Sequence, residues 1–115
     1  MKTVLTILIM FAGIHLFSQT SVITATINVK GNCEECKERI ENASDIKGVK
    51  KSKWNESTKV LTVVYDSNKT SIEKIEKVIA AAGYETQNQK PNISAYNKLP
   101  KCCKYMEGEC NDSKK

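Results

Sequence analysis

Cys33 and Cys36 stand three apart in Gly31-Asn32-Cys33-Glu34-Glu35-Cys36-Lys37, and three more cysteines, Cys102, Cys103 and Cys110, crowd the C-terminal end. Two thiols at this spacing can grip a soft metal ion as thiolates or shuttle a disulfide. Metal binding is the favoured reading. The only histidine, His15, falls in an apolar leader, so the mature chain has no imidazole. A sulfur set without histidine selects Cu(I), Ag(I) or Hg(II), and a set of four thiolates selects Zn(II) or Cd(II). Cu(I) is the first expectation and Hg(II) the second. Disulfide exchange is less well supported, because no tryptophan precedes Cys33 and both prolines, Pro91 and Pro100, lie in the tail. With no histidine base and no paired-carboxylate pattern, no enzyme is expected.

The elements around the pair should position it at a strand-to-helix turn. Val22 to Lys30 alternates, with Ile23, Ala25, Ile27 and Val29 on one side, the period of a half-buried strand. Beyond the pair, Cys36, Ile40 and Ala43 repeat at helical spacing, and Asn32 with Glu35 has the form of an N-terminal cap. The helix start would hold Cys36 in its first turn and favour thiolate through its N–H groups and positive end, while Glu34 and Glu35 oppose a second negative charge. Strands follow at Val49–Asn55 and from Lys59 to Asp66. A second helix is expected from Thr70 and Glu73 as a capping box, with Ile72, Ile75, Ile79 and Ala82 as its apolar stripe and Gly83 as its stop. Tyr84 to Gln89 suits a short fourth strand. The resulting order predicts an α+β fold, a βαββαβ sandwich with a four-stranded antiparallel sheet and two helices on one face.

Lys2 and the mostly apolar run from Val4 to Phe17 read as a secretory signal over residues 1–18, too short for a comfortable membrane span. Residues 19–90 then form the domain and 91–115 a polar linker with a cysteine-rich tail. A periplasmic or secreted location follows, with no membrane association after cleavage. From Gln87 to Pro100 the chain reads as a linker or a surface-wrapping arm. The stretch from Gln89 to Cys102 is long enough to return to the metal loop, so Cys102 or Cys103 can supply a further thiolate. A disulfide such as Cys103 with Cys110, and a separate tail site, are the alternatives. The net charge is +5, but lysines and glutamates are interspersed and no basic stripe or aromatic platform appears, so no nucleic-acid partner is expected. Lys47, Lys50, Lys51 and Lys53 read as a solvated face, with docking of an acidic partner the lesser alternative.

The element order, the CxxC at the first strand's end, Lys47-Gly48-Val49, Val63-Val64-Tyr65-Asp66 and Ala82-Gly83-Tyr84 together resemble the heavy-metal-associated domain, the family of copper chaperones and mercury-binding proteins. The resemblance spans about residues 22–89 and implies a ferredoxin-like fold. It further implies that Cys33 and Cys36 hold one ion and exchange it with the thiolates of an efflux transporter or another carrier. It places Tyr84 in the outer shell of the ion. A monomer is expected, with a metal-bridged dimer, a mode open to any two-thiolate site, as the alternative. In the family the loop reads Gly-Met-x-Cys-x-x-Cys, and its methionine packs beneath the loop. Here Gly31-Asn32-Cys33 is one residue shorter and lacks it.

Overall fold

The structure, a computed structural model, describes residues 21–107, so the leader and Cys110 lie outside it. Strand β1 (Val22–Asn28) leads through a short cysteine-bearing loop into helix α1 (Glu34–Ser44). Strands β2 (Val49–Asn55) and β3 (Val60–Asp66) form the expected hairpin, followed by helix α2 (Ile72–Ala81). The three strands are antiparallel in the order β1-β3-β2. Register sets Ile27 opposite Leu61 and Trp54 opposite Leu61 on the other side, so these side chains share one face. That face packs with Ile40 of α1 and Ile75 and Ile79 of α2 into an apolar core, while Thr26, Thr62, Lys51 and Lys53 face solvent. The alternation in β1 is buried only toward its end: Ile23 remains 42% exposed, whereas Ile27 and Val29 are sealed.

The expected fourth strand is reduced to one bridge, Val29 with Thr86, supported by Lys30 N–H donating to Glu85 O at 2.9 Å. Among the described residues the sheet therefore has three strands, not four. Thr86 stops the pairing. Its hydroxyl accepts from the N–H groups of Asn88 and Gln89, a turn-forming arrangement, and donates to the buried Glu76 carboxylate at 3.2 Å. Asn88 also donates to Glu76, at 3.0 Å, so the chain turns here instead of running along β1.

Two caps differ from expectation. Cys33 itself, not Asn32, occupies the N-cap of α1, with no side-chain cap bond. Ser71, not Thr70, caps α2 by accepting from Lys74 N–H at 3.2 Å. The inner stripe of α1 ends on Ser44, which is fully buried, whereas Ala43 is only partly so. Ser44 is kept satisfied by a hydroxyl contact with Ser52 of β2 and by Glu41 O at 2.9 Å.

Beyond the turn, the polar stretch read as a linker or arm wraps back onto the domain. It carries a short helix α3 (Ile93–Asn97), whose Asn92 cap accepts from Ala95 N–H, and single 3-10 turns at Lys101–Cys103 and Tyr105–Glu107. Tyr96, Leu99 and Cys103 are buried in the same core as the sheet and helices. Gly83 shows how closely the arm lies. It ends α2 with φ of 102°, a backbone shape that favours glycine, and a Cβ there would stand 2.8 Å from Tyr96 N.

Candidate metal centre

The loop from β1 to α1 is short, and its floor is aromatic. A Cβ on Gly31 would lie 3.0 Å from the Trp54 ring and 3.2 Å from Ile40 Cδ1, so the loop backbone rests on both side chains. Trp54 is 1% exposed, and its indole N–H donates to Val29 O at 3.0 Å, at the strand end from which the loop departs. Trp54 therefore packs under the loop. It supplies the hydrophobic floor that a loop without the methionine would otherwise lack.

On this floor Cys33 caps α1 and Cys36 occupies its first turn, with Lys37 N–H donating to Cys33 O at 3.0 Å. Their sulfurs are 3.7 Å apart, far beyond the roughly 2.05 Å of a disulfide. Cys36 is fully buried and Cys33 partly exposed, so the pair opens to solvent on one side only.

The arm closes over that side. The carbonyl of Cys102 accepts from the Cys33 thiol at 3.4 Å, and the Cys102 thiol donates to a Glu35 carboxylate oxygen at 2.9 Å. Cys103, adjacent in the 3-10 turn, is fully buried and has its sulfur 3.9 Å from that of Cys102. The sulfurs of Cys33, Cys36 and Cys103 all lie within 4.8 Å of one another. A second group, Glu35, Cys102 and Cys103, meets the same limit and runs from the exposed carboxylate to the buried Cys103 sulfur. Of the expected tail cysteines, Cys102 and Cys103 are thus at the metal loop, and Cys110 lies outside the described residues.

Tyr84 lies beside Cys36 and Cys103 in the core. It is fully buried, and its hydroxyl makes no well-formed hydrogen bond among the described residues. Burial first, and then the neighbouring thiols of Cys103 and Cys36, hold the phenol far above its ordinary pKa, so it stays a donor. Burial, followed by Cys36, likewise raises the Cys103 thiol, while the Tyr84 hydroxyl opposes the rise by favouring the thiolate. Cys102 is pushed up to about 11, chiefly by its hydrogen bond to Glu35.

Tyr105, which sequence reasoning did not single out, pins the arm. Its hydroxyl donates to Gly83 O at 2.8 Å and accepts from Glu85 N–H at 3.0 Å. Its ring stacks on Tyr84 at 5.9 Å and meets Tyr96 edge-on at 5.2 Å. Burial pushes its own pKa up to about 12. The signal available in the sequence was the spacing of Tyr96, Leu99 and Cys103, an apolar stripe at near-helical intervals inside a polar stretch.

Residues 26–85 match the heavy-metal-associated domain. The chain belongs to that family. Among solved structures, this heavy-metal-associated domain resembles the CopZ metallochaperone, at 29% identity and a TM-score of 0.53 over 56% of this chain and 98% of that one. It resembles oxidized MerP from Ralstonia metallidurans CH34 at 34% identity and a TM-score of 0.54, over 59% of this chain and 99% of that one. A copper-binding domain from HMA7, a P-type ATPase, is similar at 29% identity and a TM-score of 0.54, over 56% of this chain and 89% of that one. A comparison with curated protein sequences gives no match. The chain is thus a metal-binding domain related to copper chaperones and MerP, with the antiparallel sheet and helices of their ferredoxin-like fold. The arm from Pro91 onward, with Cys102 and Cys103, lies outside the matched residues.

Proposed function

We propose that this heavy-metal-associated domain is a secreted or periplasmic carrier that takes up one soft metal ion on Cys33 and Cys36 and passes it to a transporter or another carrier. The observation that carries the reading is the convergence of the two sulfurs, 3.7 Å apart, at a helix start on a packed apolar floor. Thiolate ligands without imidazole favour Cu(I), with Hg(II) second. A copper-binding domain of a P-type ATPase among the similar structures makes such a transporter domain the natural recipient. Handover proceeds by sulfur exchange: an incoming thiolate bonds to the ion, one of the chain's thiolates leaves, and the ion stays bound to sulfur throughout. Secretion rests on the leader and on the cysteine content, and a carrier in an oxidising compartment must be metal-loaded or kept reduced by a partner. Among the described residues no helix is long and apolar enough to cross a membrane.

A transfer assay tests this reading. The reduced chain, loaded with Cu(I), is mixed with a metal-free heavy-metal-associated domain of a P-type ATPase in the presence of a strong Cu(I) chelator. Copper should appear on the recipient without first appearing on the chelator. Copper that reaches the recipient only at the rate it reaches the chelator would favour a passive buffer instead.

A further inference from the structure

The strongest feature outside the family's matched residues is the buried thiol of Cys103. We propose that Cys103 is a third ligand, so that the arm converts an open two-sulfur site into a closed three-sulfur site for a thiophilic ion, Cu(I) or Hg(II). This deepens the carrier reading and rests on it.

Three observations meet at this point. The first is distance. Three sulfurs each about 2.3 Å from a shared ion in one plane stand about 4.0 Å apart, whereas two sulfurs in a line through the ion stand about 4.6 Å apart. Cys33 and Cys36, at 3.7 Å, are nearer the planar spacing, and Cys103 lies within 4.8 Å of both. The second is a weakly partnered donor. The buried Tyr84 hydroxyl has no well-formed hydrogen bond among the described residues, and the groups it faces are the weakly accepting sulfurs of Cys36 and Cys103. A metal thiolate is a better acceptor than a thiol, so loading would turn this weak contact into a full hydrogen bond.

The third is the arm's anchoring. Tyr105 bridges Gly83 and Glu85, Tyr96 is packed against Gly83, and Tyr96 Oη accepts from Met106 N–H at 3.2 Å. Cys103 is therefore held at the site by contacts that do not depend on metal. On loading, each of the three thiols loses its proton to water as its sulfur bonds to the ion. Cys33 then no longer donates to Cys102 O, and the bond from Cys103 to the ion replaces that contact as the link between arm and loop. Release of the ion requires Cys103 to detach, which makes the arm a gate on transfer.

X-ray absorption at the copper and mercury edges, on the full reduced chain loaded with one equivalent of either metal, counts the sulfurs. Three sulfurs are expected in the wild type for the ion the site prefers, and also in Cys102→Ser/Cys110→Ser, where Cys33, Cys36 and Cys103 are the only cysteines left. The Cys103→Ser variant should fall to two. The double variant assigns the third sulfur even if Cys103→Ser does not fold. Tyr84→Phe, which keeps the ring, should retain three sulfurs and lose about 10–100-fold in affinity. Two sulfurs in the wild type with both metals, or three remaining in folded Cys103→Ser, would overturn the proposal while leaving the Cys33 and Cys36 site standing. Tight binding that persists in Cys33→Ser/Cys36→Ser would instead overturn the carrier reading beneath it.

Discussion

Cys33 and Cys36 rest on a strand end and a helix start built by residues close to them in the chain. Cys102 and Cys103 reach the same place on a single 3-10 turn at the end of an arm. The sulfurs themselves are alike. Each pair has one buried and one partly exposed member, and the separations are 3.7 and 3.9 Å. What differs is support. The first pair has helix N–H groups and the floor of Trp54 and Ile40 beneath it, whereas the second depends on Tyr96, Leu99 and Tyr105 keeping the arm down. A helix start presents several orphan N–H donors and a positive end to a thiolate, while one turn of 3-10 helix presents little of either. The first pair is thus suited to gripping an ion, and the second to closing over it.

The largest effect should come from removing the helix-borne pair. Cys33→Ser/Cys36→Ser is expected to weaken Cu(I) affinity at least a thousandfold, about 4 kcal/mol, in a chelator competition, whereas Cys102→Ser leaves it within about tenfold. Next in size is the floor. Trp54 is buried to 1% exposure, so Trp54→Ala should cost about 3–5 kcal/mol in a denaturant titration and loosen the loop with it.

Damage to the arm should be smaller and should leave the first pair in place. Gly83→Ala forces a side chain onto a φ of 102° and against Tyr96 N, so a loss of about 1–3 kcal/mol is expected. Tyr105→Phe removes two hydrogen bonds and should cost about 1–2 kcal/mol. Its sharper readout is tryptic cleavage at Lys98, Lys101 and Lys104, which should quicken while cleavage within β2 and β3 does not.

The smallest effect concerns reactivity within the second pair. Because the Cys102 pKa is pushed up to about 11, its thiolate fraction falls about tenfold for each pH unit below that value. Alkylation of Cys102 in the reduced, metal-free chain, followed by peptide mapping, should therefore rise with pH through 9 and 10 and level off above about 11. Glu35→Gln removes the main cause of the shift and should speed alkylation at pH 8. An unchanged rate would mean that Glu35 does not hold the thiol.

How much of this was legible follows the same division. The CxxC, the hairpin strands and the Ile75 and Ile79 stripe are local patterns of period 2 or 3.6, and the structure keeps them. The fourth strand failed because its fate turned on Thr86 and the buried Glu76, a contact between residues ten apart that no alternation reveals. The choice of Ser71 over Thr70 as cap lay between adjacent hydroxyls, which pattern alone does not separate. The arm was half legible: Pro91, Pro100 and many polar residues left a linker and a surface-wrapping arm both open, although Tyr96, Leu99 and Cys103 already carried an apolar stripe. Long-range packing decided that stripe's partner, and Gly83, read only as a helix stop, proved also to be the gap that lets the arm lie close.

The proposed carrier function needs one soft ion bound at Cys33 and Cys36. Native mass spectrometry of the full reduced chain, titrated with Cu(I) against a competing chelator beside Cys33→Ser/Cys36→Ser, tests it most directly. One ion bound tightly by the wild type and none by the double variant is the predicted result. Tight binding retained in the double variant would contradict it and move the centre to the cysteines of the arm and tail.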